Sequence, residues 1–145
     1  MSTGLGILVV VLIAATAFGL YRRFTDGHIK GVDSVPDAPT HDGEVLSAAD
    51  IGAPLGERAT LVQFSTAFCQ PCRAARRTLG EVTGMVEGVT HVEIDAEAHL
   101  DLVRRLDVMR TPTILVLDST GRIRRRAVGA PRTADVVAAL GDVID

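Results

Sequence analysis

Thr60-Leu-Val-Gln-Phe-Ser-Thr-Ala-Phe-Cys-Gln-Pro-Cys72 decides the fold, because it holds the chain's two cysteines where one periodicity gives way to another. Residues 60–65 are mostly apolar and read as a buried strand, whereas beyond Cys72 the apolar residues Ala75, Leu79, Val82 and Val86 recur at helical spacing. A strand therefore feeds a helix, and the cysteines stand at its start. Pro71 suits the first helical turn, where its missing N–H has no helical partner to lose. A helix N-terminus offers unpaired N–H groups and a partial positive charge, which stabilise a thiolate and make Cys69 the better nucleophile and leaving group. With two residues between them the sulfurs can bridge, so Cys69 can attack a substrate disulfide and Cys72 can resolve the mixed disulfide. Two blander readings compete. Half a zinc site is one, but there is no second cysteine pair and His28, His41, His91 and His99 show no ligand spacing, so no metal is expected. A structural disulfide is the other, although one closing so small a loop adds little stability.

Working outward, Val92 and Ile94 alternate with His91, Glu93 and Asp95 as a second strand, and Ala98, Leu102, Val103 and Leu106 mark a second helix. Thr113–Leu117 is a short apolar strand, Asp118-Ser-Thr-Gly121 a turn, and Ile123–Val128 an antiparallel return. Arg122, Arg124, Arg125 and Arg126 suit an exposed sheet edge, where charge blocks strand addition. Thr133 offers an N-cap to a closing helix with Val136, Val137, Leu140, Val143 and Ile144 on its apolar face. The predicted class is α/β, a mixed central sheet with helices on both faces, built from residues 44–145.

Toward the N-terminus, Gly4 to Tyr21 carry no charge, and as a helix these residues would reach about 27 Å. This predicts one transmembrane anchor over residues 4–21. A cleaved secretory signal is the alternative, suggested by Ala15-Thr16-Ala17 but lacking a basic leader. Residues 22–43, with several glycines, prolines and aspartates and no periodicity, read as a flexible linker. Arg22, Arg23 and Lys30 follow the apolar run, a bias that places the domain on the cytoplasmic face, with the extracytoplasmic side as the alternative. Fifteen Lys and Arg against 18 Asp and Glu give the 145 residues a net charge of -3, which gives no electrostatic reason to expect nucleic-acid binding.

Phe64-Ser-Thr-Ala-Phe-Cys-Gln-Pro-Cys72 resembles the active-site stretch of thioredoxins; Val92-Glu-Ile-Asp95 is similar to their following strand, Thr111-Pro-Thr113 to their cis-proline segment, and Val128-Gly129-Ala130 to the glycine beside their substrate groove. The resemblance covers residues 44–145 and implies the thioredoxin fold. It also implies a site: Cys69 and Cys72 as the catalytic pair, Thr111 offering backbone hydrogen bonds to an extended substrate strand, Pro112 packing beside the disulfide, and Phe68, Gln70, Pro71 and Gly129 lining the groove. Forty positions separate Cys72 from Pro112, as in compact thioredoxins, without the insertion usual in the membrane-tethered cytochrome-maturation type. The apolar N-terminus is more typical of those extracytoplasmic relatives.

Three departures stand out. Phe68 replaces the usual Trp, Gln70 replaces the usual Gly, and Gln63 stands where the family generally carries a buried Asp that helps deprotonate the resolving cysteine. A neutral amide cannot titrate, which makes His91, at the position of a family Lys, a second candidate for proton transfer beside Gln63. Arg73, Arg76 and Arg77 read either as a solvated helix face or as attraction for acidic partners. The leading expectation is a monomeric, membrane-anchored thiol–disulfide oxidoreductase, most simply a protein disulfide reductase. It would need no bound cofactor, act on protein thiols and disulfides, and be recharged by a soluble reductase or a membrane thiol relay. The alternative is a redox-inert interaction module that holds a partner strand in its groove.

Overall fold

The computed structural model describes residues 2–25 and 43–144. Helix α1 spans Ser2–Thr25. The domain that follows runs α2 (Ala48–Ile51), β1 (Ala59–Ser65), α3 (Gln70–Met85), β2 (Val89–Asp95), α4 (Leu100–Arg105), β3 (Thr113–Asp118), β4 (Ile123–Val128) and α5 (Thr133–Ile144). The strands lie in the order β2-β1-β3-β4, with β1 and β2 parallel and the other two pairs antiparallel. The predicted mixed sheet is present.

Strand alternation sorts the core into two layers. On one face Leu61 of β1 and Ile114 and Val116 of β3 pack with Ala75, Leu79 and Val82 of α3 and Val136 and Leu140 of α5. On the other, Val62, Phe64, Leu115 and Leu117 meet Leu102 and Leu106 of the α4 region and Ile51 of α2. Gln63 and Ser65 point with Leu61, toward α3. That parity brings two polar side chains under the cysteines.

The Asp118–Gly121 turn forms as read. Asp118 Oδ1 accepts from the Thr120 amide and hydroxyl and from the Arg122 amide. Gly121 adopts φ +83°, and a Cβ there would sit 2.2 Å from the Leu46 carbonyl oxygen, so only glycine fits.

Several expectations need correcting. Thr133 is not the N-cap of α5: it lies inside the helix, and the Arg132 carbonyl accepts from Asp135 and Val136. Val137 is 43% exposed, and Ala139 takes its place on the buried face. The arginines of β4 do more than line an edge, since Arg126 donates to the carbonyls of Leu106 and Asp107. The predicted transmembrane anchor over 4–21 lies within α1, but among the described residues no helix is long and apolar enough to cross a membrane. Most of the 22–43 linker, with His28, Lys30 and His41, lies outside the described residues.

Helix α2 escaped the periodicity argument because a single turn has no period. Its start is a capping box in which Ser47 Oγ accepts from the Asp50 amide and Asp50 accepts from the Ser47 amide. Arg105 of α4 bonds both Asp50 and Glu44, fastening the segment before β1 to the far end of the layer. The Arg105 guanidinium is the largest influence holding the Asp50 carboxyl well below the usual carboxylate range. A depressed folded pKa contributes stability above the unfolded value, near 4, and loses it as pH falls below that. Arg105→Ala should therefore cost about 1 kcal/mol at neutral pH in urea unfolding, with the difference from wild type narrowing below about pH 4. An undiminished difference at pH 2.5 would show that Arg105 acts by packing and not by charge.

Candidate active site

Cys69 is the N-cap of α3, and its Sγ accepts from the Cys72 amide at 3.1 Å. The two sulfurs are bonded, with Cα atoms 5.2 Å apart. Pro71 stands in the first turn as the sequence implied. Burial separates the two cysteines: Cys72 is 2% exposed, whereas Cys69 is half-buried and its neighbour Phe68 is 97% exposed. Cys69 is therefore the more accessible of the two sulfurs.

The second wall is the loop entering β3. The Thr111–Pro112 peptide bond is cis, with Pro112 buried. Thr111 and Thr66 hydroxyls meet at 3.1 Å, joining this loop to the one that precedes the cysteines. Gly129, with φ +91°, donates its amide to the Pro112 carbonyl, so β4 holds the loop from behind. Gln70 and Pro71 are exposed beside the disulfide. The structure thus brings together Phe68, Cys69, Gln70, Pro71 and Cys72 on one wall and Thr111, Pro112 and Gly129 on the other. The Thr66–Thr111 link was not anticipated, and nothing in the sequence pairs two threonines 45 positions apart.

Beneath Cys72 lies a buried polar network. The Gln63 amide is fully buried and donates to the Ser65 hydroxyl and to the Cys72 carbonyl, both at 2.9 Å. With its nitrogen committed as a donor, Gln63 Oε1 is the acceptor for His91 Nε2 at 3.1 Å, which fixes the tautomer of the neutral imidazole as Nε2–H. Ser65 hydrogen-bonds Glu93, and Glu93 is held by both nitrogens of an Arg76 fork at 2.6 and 2.7 Å. The Arg76 bonds are the first cause of the lowered Glu93 pKa. Among the described residues no buried side-chain polar atom is left without a partner.

This arrangement refines two expectations. Gln63 and His91 are adjacent, yet among the described residues neither bonds a cysteine sulfur; Gln63 reaches Cys72 through its backbone carbonyl. Gln63 is thus a positioning residue in this geometry. Arg76 is not part of a uniformly solvated trio, because Glu93 claims it. A hydrophobic-periodicity reading has no means of finding such a pair, which spans a helix and a strand. Among the described residues no group of three or more His, Cys, Asp and Glu side chains converges as a metal site.

Desolvation lowers the His91 pKa, and Arg76 adds to this against the opposing pull of Glu93. A histidine harder to protonate when folded contributes full stability above its unfolded value, near 6.5, and that contribution declines as pH falls from there toward the folded pKa. His91 should therefore titrate below 6.5 by NMR, and His91→Gln should flatten the fall in stability over that window. A His91 midpoint at or above 6.5 would contradict the buried, neutral assignment.

The family profile "Thioredoxin" matches residues 49–142. Thioredoxin H5 of Oryza sativa subsp. japonica is 26% identical over 98 residues, covering 68% of this chain and 69% of the rice protein. Human thioredoxin domain-containing protein 2 is 36% identical over 72 residues, which span 48% of this chain but only 13% of the human protein. The fold is similar to the crystal structure of chloroplastic thioredoxin z, with a TM-score of 0.56 at 23% identity over 70% of this chain and 94% of that one. It is also similar to the Schistosoma mansoni thioredoxin pre-protein, with a TM-score of 0.53 at 19% identity over 61% and 82%. The cysteine pair at the start of α3, the cis proline at the entry to β3 and the matched profile agree, and the chain belongs to the thioredoxin family.

Proposed function

We propose that this protein is a thiol–disulfide oxidoreductase acting as a protein disulfide reductase. The observation that carries the reading is the Cys69–Cys72 bond at the start of α3, with Cys69 the more exposed of the pair. In the reduced protein the Cys69 thiolate attacks a substrate disulfide, forming a mixed disulfide and releasing one substrate thiolate. Cys72 then gives up its proton, which a released substrate thiolate or water takes up, and attacks the Cys69 sulfur, which releases the second substrate thiolate and re-forms the Cys69–Cys72 bond. Two electrons pass to the substrate, and a dithiol donor must return them. That donor is a soluble reductase or a membrane thiol relay, according to the side on which the domain lies. No cofactor enters the exchange, and the protein acts as a monomer.

Phe68, Gln70, Pro71, Thr111, Pro112 and Gly129 form the substrate groove in this reading. An incoming extended strand pairs with the backbone at Thr111, which the Thr66 contact and the Gly129–Pro112 hydrogen bond keep in place. In this reading the uncharged run at residues 4–21, within α1, attaches the chain to a membrane, and residues 22–43 join it to the domain. The charges at Arg22, Arg23 and Lys30 favour the cytoplasmic face for the domain.

With dithiothreitol as donor, the full chain in neutral detergent should accelerate insulin reduction catalytically, and Cys69→Ser should abolish the acceleration. A chain that binds peptide strands but gives no more turbidity than dithiothreitol alone would instead be an interaction module. Because both cysteines belong to the site, labelling intact cells with a membrane-impermeant maleimide, with and without an impermeant reductant, reports topology. Labelling only after permeabilisation is the expected result. Labelling beforehand would place the domain outside and call for a membrane relay as donor.

A further inference from the structure

The arginines of the domain divide into two groups. Arg76, Arg104, Arg105, Arg124, Arg125 and Arg132 each face a carboxylate. Arg122 and Arg126 are occupied by main-chain carbonyls. Among the described residues, those left without a side-chain partner in the domain are Arg58, just before β1, and Arg73, Arg77 and Arg110.

The last three gather at the reactive end. Arg73 follows Cys72 directly, and Arg77 lies one turn further along the same exposed face of α3. Arg110 directly precedes Thr111, and the Thr66–Thr111 contact sets its loop against the one that carries Phe68 and Cys69. Cations therefore stand on both walls of the site. Each wall also exposes a large apolar side chain, Phe68 at 97% and Met109 at 83%. Asp95, the last residue of β2, and Glu97 just beyond it lie on the side of β1 away from the Thr111 loop, and Asp107 precedes Arg110 by three residues. In a chain of net charge -3, unpaired arginines concentrated here make a local field opposite in sign to that of the whole.

We propose that this site, given the exchange activity set out above, selects disulfides carried by acidic segments of a partner protein that also present an apolar side chain beside the cysteine. The carboxylates meet Arg73, Arg77 and Arg110, and the apolar group covers Phe68 or Met109. Because the arginines are exposed, they act mainly on encounter, so the preference is expected to appear in the second-order rate and to weaken with salt.

The test uses the reduced full chain in neutral detergent and two synthetic peptides that share one intramolecular disulfide and one flanking Leu. One peptide carries four Asp and the other four Lys. Single-turnover reduction of the acidic peptide should be about tenfold faster at 20 mM salt, with the ratio shrinking toward unity at 0.5 M. Arg73→Gln combined with Arg110→Gln should cut the ratio to about threefold or less. Equal rates for the two peptides, or a preference unchanged in the double variant, would overturn the substrate class while leaving the exchange reaction standing. Reduction of neither peptide would overturn the exchange reading, and the inference with it.

Discussion

The reactive end of the domain depends on the hydrogen bond from the buried Gln63 amide to the Cys72 carbonyl. It crosses from sheet to helix, and it ties the first turn of α3 to the central strand at Cys72, the resolving cysteine of the proposed exchange. The remaining Gln63 donor and acceptor are used by Ser65 and His91. An amide in such a place meets its neighbours fully without carrying charge. Were it replaced by an apolar side chain, the Cys72 carbonyl and the His91 N–H would each lose a partner, at a cost of about 1–3 kcal/mol apiece, while the Ser65 hydroxyl would keep Glu93.

Strand parity makes this network possible. Side chains alternate along β1, so Leu61 packs against the α3 and α5 layer while Gln63 and Ser65, pointing the same way, reach the start of α3. The parallel register of β1 with β2 sets His91 opposite Leu61 and Glu93 opposite Gln63. From there Arg76, on the second turn of α3, closes the set by gripping Glu93. The register that satisfies the core thus also assembles the polar base of the site. A one-residue slip of β2 would send His91 and Glu93 to the opposite face.

What the sequence makes legible follows from the range of the forces involved. The order of strands and helices from β1 to α5 shows in apolar periodicity, because burial is imposed on every second or every third to fourth residue. The cysteine pair was legible from its place at the strand-to-helix change. The cis bond at Thr111–Pro112 came from resemblance, and it is present. The single turn of α2, the start of α5 at Thr133 and the exposure of Val137 were not recovered, since each is decided by a few local or tertiary contacts. Least visible of all were pairings between distant elements: Gln63 with Cys72, Arg76 with Glu93, Arg105 with Glu44. Sequence showed the charges and amides, but only the fold shows which are spent.

That distinction changes how the charges near the disulfide are weighed. Counting residues gives α3 three arginines in its first two turns. One of them is neutralised by Glu93, so the field at the cysteines comes from the helix N-terminus and from arginines without carboxylate partners. A carboxylate in place of the Gln63 amide would oppose a developing thiolate above it, whereas the amide and the neutral His91 beside it do not. The neutral base and the unpaired arginines therefore act in one direction. In the proposed exchange, negative charge on sulfur and on an approaching acidic partner would both meet a site where Glu93 is paired with Arg76 and where Asp95 and Glu97 lie on the side of β1 away from the Thr111 loop.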